Sequence, residues 1–525
     1  GVIESKNLKQ ALEIFLNYTQ NFKLAKFQLD STISIIKSFQ SKYSSGILIS
    51  AGTGSGKTLG FYISALSKIA NNIIEFDSKQ WTQCIAIYPR TELLKDQFSE
   101  IYNEARKLDK FLQNKGYRKI VIAPLFGDIP RNSFNFSSNK FKPPWKEKGD
   151  GFLCPFLKCP IPECKGDLIW SFQDIKQNEE RLNCSKCSKL IDNSEVIFTR
   201  KTMEKHPPDI LFTTTEMLNQ NLSEAKYRKL FGIVKYKFKP EMILLDEVHT
   251  YNSTHGAQVA FLIRRLKNLI KSKITFVGLS ATLVDANRFF SRLIQIEEYW
   301  IKLITPKVRD MEIKGAEYMI ALKGDPVSKS ALLSTTIQTN MLLSRMIDNQ
   351  KSSNSYGFFG KKVFAFTDDM DVTNRLFHQI LDSEGRNDFG HEVAGKPTLA
   401  SLREPNHSIS RMKSGQNWKI PKSIQGSLEN KKSVSRVSSQ DPGLDQHVDI
   451  VVATSSLEVG VDDPSVGAVL QHKTPRNMAS FIQRKGRGGR SKYMRPWTSI
   501  ILSDYGRDRL SYQSYDQLFN PEYLK

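Results

Sequence analysis

The sequence predicts an α/β protein built from two consecutive parallel-sheet domains, the first carrying a cysteine-rich insertion. Three observations lead there. Short apolar runs (Gly46-Ile47-Leu48-Ile49, Cys84-Ile85-Ala86-Ile87-Tyr88, Met242-Ile243-Leu244-Leu245) each end in a polar or glycine-rich turn, and a helical pattern follows. Buried strands of βαβ units read this way. The alternation starts again near residue 301, with Asp449-Ile450-Val451-Val452-Ala453 and Ala468-Val469-Leu470-Gln471 as later strands. Five of the six cysteines fall between Cys154 and Cys187. These features divide the chain into an N-terminal helix at 1–23, a first domain at 24–300 interrupted at 141–205, and a second at 301–525. A stretch rich in Ser, Lys, Asn and Gly at 383–447 reads as a polar insertion in the second domain.

A chain of 525 residues with 39% hydrophobic and 25% charged content has enough apolar material for two or three buried cores. It carries 76 Lys and Arg against 54 Asp and Glu, a formal charge of +22. That excess favours a polyanionic partner, and nucleic acid is the commonest. A membrane surface is the weaker reading, because no basic amphipathic helix with a large apolar face is present. No apolar run is long enough to cross a bilayer, and nothing at the N-terminus reads as a signal peptide, so a cytoplasmic protein is expected. Six cysteines are too few for a disulfide framework in a chain of this length. Their clustering points to metal in a reducing compartment.

In the N-terminal helix, Leu8, Leu12, Ile14 and Phe15 form a packing face. Gln28 follows, in a helical pattern that continues through Ile33, Ile35 and Ile36. A glutamine amide donates and accepts, so one placed shortly before a phosphate loop can clamp adenine. That loop is Ala51-Gly52-Thr53-Gly54-Ser55-Gly56-Lys57-Thr58, entered from a strand and left through a helix. Its backbone N–H groups make a phosphate cradle, Lys57 reaches the β- and γ-phosphates, and the Thr58 hydroxyl suits Mg²⁺. Ala51 stands where a first glycine is usual, which is tolerable if that position needs no positive φ.

Tyr88-Pro89-Arg90-Thr91 and Thr213-Thr214-Thr215-Glu216 are strand-to-helix turns whose hydroxyls and free N–H groups suit phosphate oxygens, although simple helix capping explains each nearly as well. Met242–Leu245 delivers Asp246 and Glu247 side by side. Asp246 is the candidate Mg²⁺ ligand, and Glu247 the group that orients and deprotonates an attacking water. Thr275–Thr282 is a further strand with a hydroxyl-bearing end, suited to linking two sites.

The cysteine spacing is Cys154-x4-Cys159-x4-Cys164-x19-Cys184-x2-Cys187. Two short pairs about twenty residues apart describe a zinc ribbon. Pro160 and Gly166 supply knuckle turns, which selects Cys159, Cys164, Cys184 and Cys187, with Cys154 able to replace either upstream ligand. Neighbouring lysines allow such a finger to touch phosphate as well. In the second domain, Gln483, Arg487 and Arg490 are spaced to share one helical face. The two arginines are candidate arginine fingers for a γ-phosphate. The three glycines Gly486, Gly488 and Gly489 argue for a tight interface there rather than a plain exposed helix.

In their order along the chain, these stretches resemble the superfamily 2 helicases. Gln28, the loop at 51–58, Tyr88–Gln97, Thr213–Leu218, Asp246–His249 and Ser280-Ala281-Thr282 match in the first domain. Lys362–Asp368, Ala453–Asp462 and Gln483–Arg490 match in the second. The resemblance implies two RecA-like motor domains that share one ATP, with Gly460 and Asp462 at the joint. It also implies that Pro89, Arg90, Thr91, Thr214, Thr215, Thr367 and Thr454 grip the phosphates of a nucleic-acid strand. Asp246-Glu247-Val248-His249-Thr250-Tyr251, Ser438–Gly443 and Gln471-His472-Lys473 resemble the bacterial Lhr/MrfA/DpdJ-like DExH group, DNA helicases of repair and of phage-defence or DNA-modification systems. Such members often carry a cysteine-rich region after the motor, which the sequence up to Lys525 lacks. The expectation is an ATP- and Mg²⁺-dependent DNA helicase or translocase with Zn²⁺ in its insertion, working with protein partners of such a system. Its rivals are an RNA helicase, a double-strand translocase serving a partner nuclease or methylase, and a non-catalytic DNA-binding scaffold.

Overall fold

In the computed structural model, the structure describes residues 5–17, 24–52, 55–137, 145–164, 166–233, 237–251, 253–281, 285–307, 309, 315–324, 331–348, 355–413, 415–424, 427–437, 447–454, 463–476, 478–491 and 493–519. The chain divides into two compact units, Gly1–Met311 and Glu312–Lys525. Among the described residues no helix is long and apolar enough to cross a membrane.

The first unit is built on β1 (Ser45–Ser50), β2 (Cys84–Tyr88) and β3 (Ile122–Leu125). After them comes a small antiparallel sheet of β4 (Glu147–Lys148), β5 (Gly151–Leu153), β6 (Leu168–Ser171), β7 (Leu182–Cys184) and β8 (Leu190–Ile191). The main sheet then resumes with β9 (Ile210–Thr214), β10 (Met242–Leu245), β11 (Thr275–Ser280) and β12 (Ile301–Ile304). Its order is β12-β1-β11-β10-β2-β9-β3, parallel throughout. Most of these strands are buried on both faces, which is why they read as unbroken apolar runs.

Residues 301–304 were expected to open the second domain. Instead β12 pairs with β1, so the first unit extends past 300. The expectation failed because a short apolar strand carries no mark of which sheet it will join. The N-terminal helix α1 (Lys6–Asn17) buries Leu8, Leu12 and Phe15, and Ser5 donates to Asn71 of α3 (Lys57–Glu75). Between them α2 (Lys26–Gln40) packs on α3, and α4 (Thr91–Arg106) follows β2.

The antiparallel insertion is held to the main sheet by aromatic contacts. Phe156 meets Phe98 of α4 edge-on at 5.3 Å, and Phe98 meets Phe212 of β9 at 5.0 Å. Trp145, Trp170 and Phe198 continue the cluster within the insertion. Pairs of this kind add roughly 0.5–1.5 kcal/mol each beyond their burial.

The second unit has β13 (Tyr318–Lys323), β14 (Lys362–Phe366), β15 (Val434–Val437), β16 (Ile450–Ala453), β17 (Val466–His472) and β18 (Trp497–Leu502). They form one parallel sheet in the order β13-β18-β17-β14-β16-β15. Among its described residues the polar stretch 383–447 has short pieces, a 3₁₀ turn at Leu399–Arg403 and helices at Ile409–Lys413 and Lys419–Ser423, before β15.

Candidate nucleotide and nucleic-acid site

In an all-parallel sheet every strand ends at the same edge, and ligands collect there. The register aligns Ser50 with Ser280, Leu245 with Gly278 and Ile87, and Tyr88 with Thr214. The residues that follow these strands therefore share one rim. They include Ala51 and Gly52 of the glycine-rich loop, Pro89, Arg90, Thr91, Thr215, Asp246 and Ala281. Thr53 and Gly54 of that loop lie outside the described residues, as do Thr282, Gly460, Asp462, the stretch 455–462 and 438–443.

Gly56 sits at φ 72°, a left-handed conformation that only glycine adopts without strain, and it starts α3. Lys57 is the first residue of that helix. Its ammonium is buried, 3.6 Å from a Glu247 carboxylate oxygen, and among the described residues no acceptor hydrogen-bonds it. A buried cation without a hydrogen-bond acceptor is costly to hold. A phosphate oxygen would satisfy it. The nearby Ser55 hydroxyl is likewise buried without a partner.

Gln28 is buried beneath this loop. Its amide nitrogen donates to the Gly56 carbonyl at 2.9 Å, and its oxygen accepts from the Ala25 N–H at 2.8 Å. Both ends of the expected adenine clamp thus bind backbone, one of them the phosphate loop itself.

Asp246 and Glu247 leave β10 as the sequence reading anticipates, and Glu247 takes a left-handed φ of 47°. Its N–H donates to the Asp246 carboxylate at 2.8 Å, which fixes the angle between the two acids. Burial, with Glu247 beside it, pushes the Asp246 carboxyl up to about 7, against the pull of Lys57. This is the setting in which a divalent cation compensates a desolvated carboxylate. His249 Nδ1 lies 3.4 Å from Glu247 and accepts from the Ala281 N–H at 3.2 Å, joining the acidic pair to the end of β11. Thr214 caps the Thr215–Asn221 helix by accepting from the Met217 N–H, so its hydroxyl has a structural duty.

The four sulfurs of Cys159, Cys164, Cys184 and Cys187 lie within 4.8 Å of one another, with 3.5 Å between Cys159 and Cys187 and between Cys164 and Cys184. A tetrahedral thiolate site with metal–sulfur bonds of about 2.3 Å needs sulfur separations of about 3.8 Å, so the donor set fits. Gly166 makes room for it: a Cβ there would stand 2.4 Å from the Cys184 sulfur. Cys154 is not in the cluster. Its thiol is buried and pushed up to about 12 by that burial, so it is not an alternative ligand here.

In the second unit the helix Met478–Lys485 ends before Arg487. Gln483, Arg487 and Arg490 therefore do not share a helical face as their spacing suggested. Gly489, at φ 73°, turns the chain back against Pro496, where a Cβ would lie 2.5 Å from the proline ring. Gln483 and Arg487 are buried, and Arg490 lies in the turn, its guanidinium donating to the Gly486 carbonyl at 3.2 Å.

The residue that sequence reading passed over is Arg484. It is buried, donates to Gln471 of β17 at 2.7 Å, pairs with Asp368 after β14, and its guanidinium lies 5.5 Å from the Phe366 ring. Thr367 donates to the Asp369 carbonyl and hydrogen-bonds Thr373, at the start of the Met370–Ser383 helix. Thr454 directly follows β16.

Two parallel α/β units, a glycine-rich turn opening a helix and an adjacent pair of carboxylates are the architecture of the helicase class. The model of the DEAD/DEAH box helicase family matches residues 32–123 and 171–289, and that of the helicase conserved C-terminal domain matches 410–492. The chain belongs to the superfamily 2 helicases, whose two domain models it matches in order. It is 26% identical over 385 residues to the Lhr helicase/probable uracil glycosylase of Mycolicibacterium smegmatis, covering 72% of this chain and 24% of that relative. The chain thus spans about a quarter of that relative's length. Among solved structures, the DUF1998 helicase MrfA bound to DNA aligns with a TM-score of 0.54 at 16% identity, covering 98% of this chain and 53% of that one. The M. smegmatis helicase Lhr bound to single-stranded DNA and AMP-PNP also gives 0.54, at 17% identity, covering 95% of this chain and 47% of the other. At these identities the likeness is one of fold.

Proposed function

We propose that this chain is an ATP-dependent helicase or translocase that steps along a nucleic-acid strand, DNA in preference to RNA. The observation that carries the proposal is the buried Lys57 ammonium beside Glu247 at the rim that Asp246 also reaches. It is a phosphate-binding cation next to a base able to activate water. Lys57 and the loop amides hold the phosphates, and Gln28, its amide bound to backbone at both ends, holds the loop in place; an adenine clamp there would require it to exchange those bonds. Thr58 and Asp246 would hold Mg²⁺, which supplies charge neutralisation at the β- and γ-oxygens. Glu247 orients and deprotonates the attacking water, and His249 ties it to β11. Arg487 and Arg490 of the second unit stabilise the charge that builds on the γ-phosphate once nucleotide draws the units together, with Gln483 supporting them. Thr91, Thr214, Thr215, Thr367 and Thr454, with Pro89 and Arg90, grip strand phosphates. Such contacts carry no sequence information, so binding is sequence-tolerant and falls with salt.

Cys159, Cys164, Cys184 and Cys187 would hold Zn²⁺ as a structural centre that keeps the insertion folded in a reducing compartment such as the cytoplasm. The DNA-bound state of MrfA and Lhr supports the choice of DNA. A narrower likeness to DpdJ, and with it partners in phage defence or DNA modification, rests on the sequence motifs alone.

The test is Glu247→Gln. ATP binding is expected to persist while nucleic-acid-stimulated hydrolysis disappears, and unchanged turnover would refute the assignment. Parallel unwinding of matched DNA and RNA duplexes decides the substrate.

A further inference from the structure

A surface groove runs between the Thr215–Asn221 helix and the Ser253–Ile270 helix, about 540 Å³ in volume and lined by Thr215, Asn219, His255, Gln258, Phe261 and Arg265 among others. The Ser253–Ile270 helix buries Gly256, Val259, Leu262, Ile263, Leu266 and Ile270 against the unit. Phe261 lies off that face and exposes 68% of its surface. A lone exposed phenyl on a helix needs no explanation. This one stands in a concavity with two side-chain amides and an imidazole, in the company that a flat aromatic ligand with hydrogen-bonding edges requires.

The wall opposite is fixed. The Arg265 guanidinium bridges the two helices by donating to Asn219 Oδ1 at 3.1 Å and to the Ser223 hydroxyl at 2.5 Å. With its oxygen so engaged, Asn219 keeps its NH₂ to donate into the groove. The charge also points one way. The Ser253–Ile270 helix carries Arg264, Arg265 and Lys267 and no carboxylate. Among the described residues Glu216 on the facing helix is the one acid lining the groove, and it accepts a hydrogen bond from Gln220 at 3.3 Å. The groove begins at Thr215, which the reading above places on the strand path.

We propose that this groove is a nucleobase-binding subsite, in which one base of a single strand stacks on Phe261 while Asn219 and Gln258 meet its edge. The inference rests on the nucleic-acid reading of the chain and adds a grip on a base to a set of grips on phosphates. A pocket of this size accommodates a nucleotide. Aromatic stacking tolerates any base, so the subsite strengthens binding without imposing a sequence.

The experiment compares the full chain with Phe261→Ala and Phe261→Trp by fluorescence anisotropy. The probes are a labelled oligothymidylate and a matched oligonucleotide whose bases are replaced by abasic sites. Phe261→Ala is expected to weaken oligothymidylate binding about tenfold, and Phe261→Trp to retain it. The slope of log affinity against log salt is expected to stay unchanged, because a stacked base releases no counterions. On the abasic probe wild type and Phe261→Ala are expected to bind equally, and basal ATP hydrolysis without nucleic acid is expected to be the same for all three. Equal oligothymidylate affinity for wild type and Phe261→Ala overturns the subsite and leaves the groove to a protein surface. An equal loss on both probes overturns it as well, since the damage would then be general. If the wild type neither binds nucleic acid nor is stimulated by it, the parent reading fails instead.

Discussion

Lys57 is held 3.6 Å from Glu247, and that spacing makes the pair informative. Lys57→Ala removes the phosphate-seeking cation from a helix that is otherwise buried by apolar packing, so folding should persist while nucleotide affinity falls at least tenfold. Isothermal titration with a non-hydrolysable ATP analogue checks this. Arg484 is the opposite kind of residue. Its partners are Gln471 of β17 and Asp368, which follows β14; Arg484→Met leaves the buried Gln471 oxygen without this donor, while the partly exposed Asp368 keeps the Arg476 N–H. Leaving a buried acceptor without its donor costs about 1–3 kcal/mol, so the second unit should melt a few degrees lower, as read by calorimetry, with nucleotide binding by the first unit intact. His472 adds a pH dependence. Burial lowers its imidazole to about 4, with Lys473 assisting, and Thr336 bonds its Nδ1 at 2.7 Å. The unfolded chain takes up a proton near pH 6.5 and the folded one does not until about pH 4. Stability is therefore present above pH 6.5 and lost as pH falls towards 4, on the order of 3 kcal/mol from this group. His472→Asn should flatten that part of the urea-denaturation profile. The placing of Lys57, Asp246 and Glu247 together was legible in the sequence because each side chain sits within a few residues of the turn that presents it. Arg484 was not, since its meaning depends on groups 13 and 116 positions away.

Among elements, the cysteine insertion was the most readable and the end of the Met478–Lys485 helix the least. The two knuckles announce themselves by spacing and by Pro160 and Gly166, which select the four cysteines that cluster; coordinates were needed only to remove Cys154, buried elsewhere, as a substitute for an upstream ligand. Metal content should follow that division. Cys159→Ser or Cys184→Ser is expected to drop bound zinc well below one equivalent, and Cys154→Ser to leave it near one, measured by atomic emission on protein purified without chelators. Because the insertion packs through Phe156 and Phe98 onto Phe212 of the motor sheet, metal loss should also expose aromatic surface there, visible as a red shift in tryptophan emission from Trp145 and Trp170. The helix end misled because spacing at i, i+4 and i+7 assumes a helix that continues. Gly486, Gly488 and a left-handed Gly489 stop it, and the backbone N–H of Gly489 bonds to Val466 instead. The same limit explains β12: four apolar residues say strand, and only pairing with β1 says which sheet.

For the whole molecule the working idea is that phosphate chemistry needs groups from two independently cored units. Lys57, Asp246 and Glu247 belong to the first, and Arg487 and Arg490 to the second. If Glu247 activates water and Arg487 and Arg490 stabilise phosphoryl charge, as proposed, neither unit alone carries both, and turnover should require their approach. A ligand shifts such an equilibrium only by binding the approached state better. Non-hydrolysable ATP analogue and single-stranded DNA together should therefore raise energy transfer between a donor on the first unit and an acceptor on the second, more than either does alone. ADP should not sustain the change, since it lacks the γ-phosphate that both sets of groups address. Arg490→Ala is expected to bind ATP with nearly wild-type affinity, lose most of the transfer change, and lose stimulated hydrolysis with it. If energy transfer rises normally in Arg490→Ala and hydrolysis survives, the γ-phosphate is not read by the second unit and the motor must close by other contacts. Loss of hydrolysis with normal closure would instead assign Arg490 to the chemical step alone.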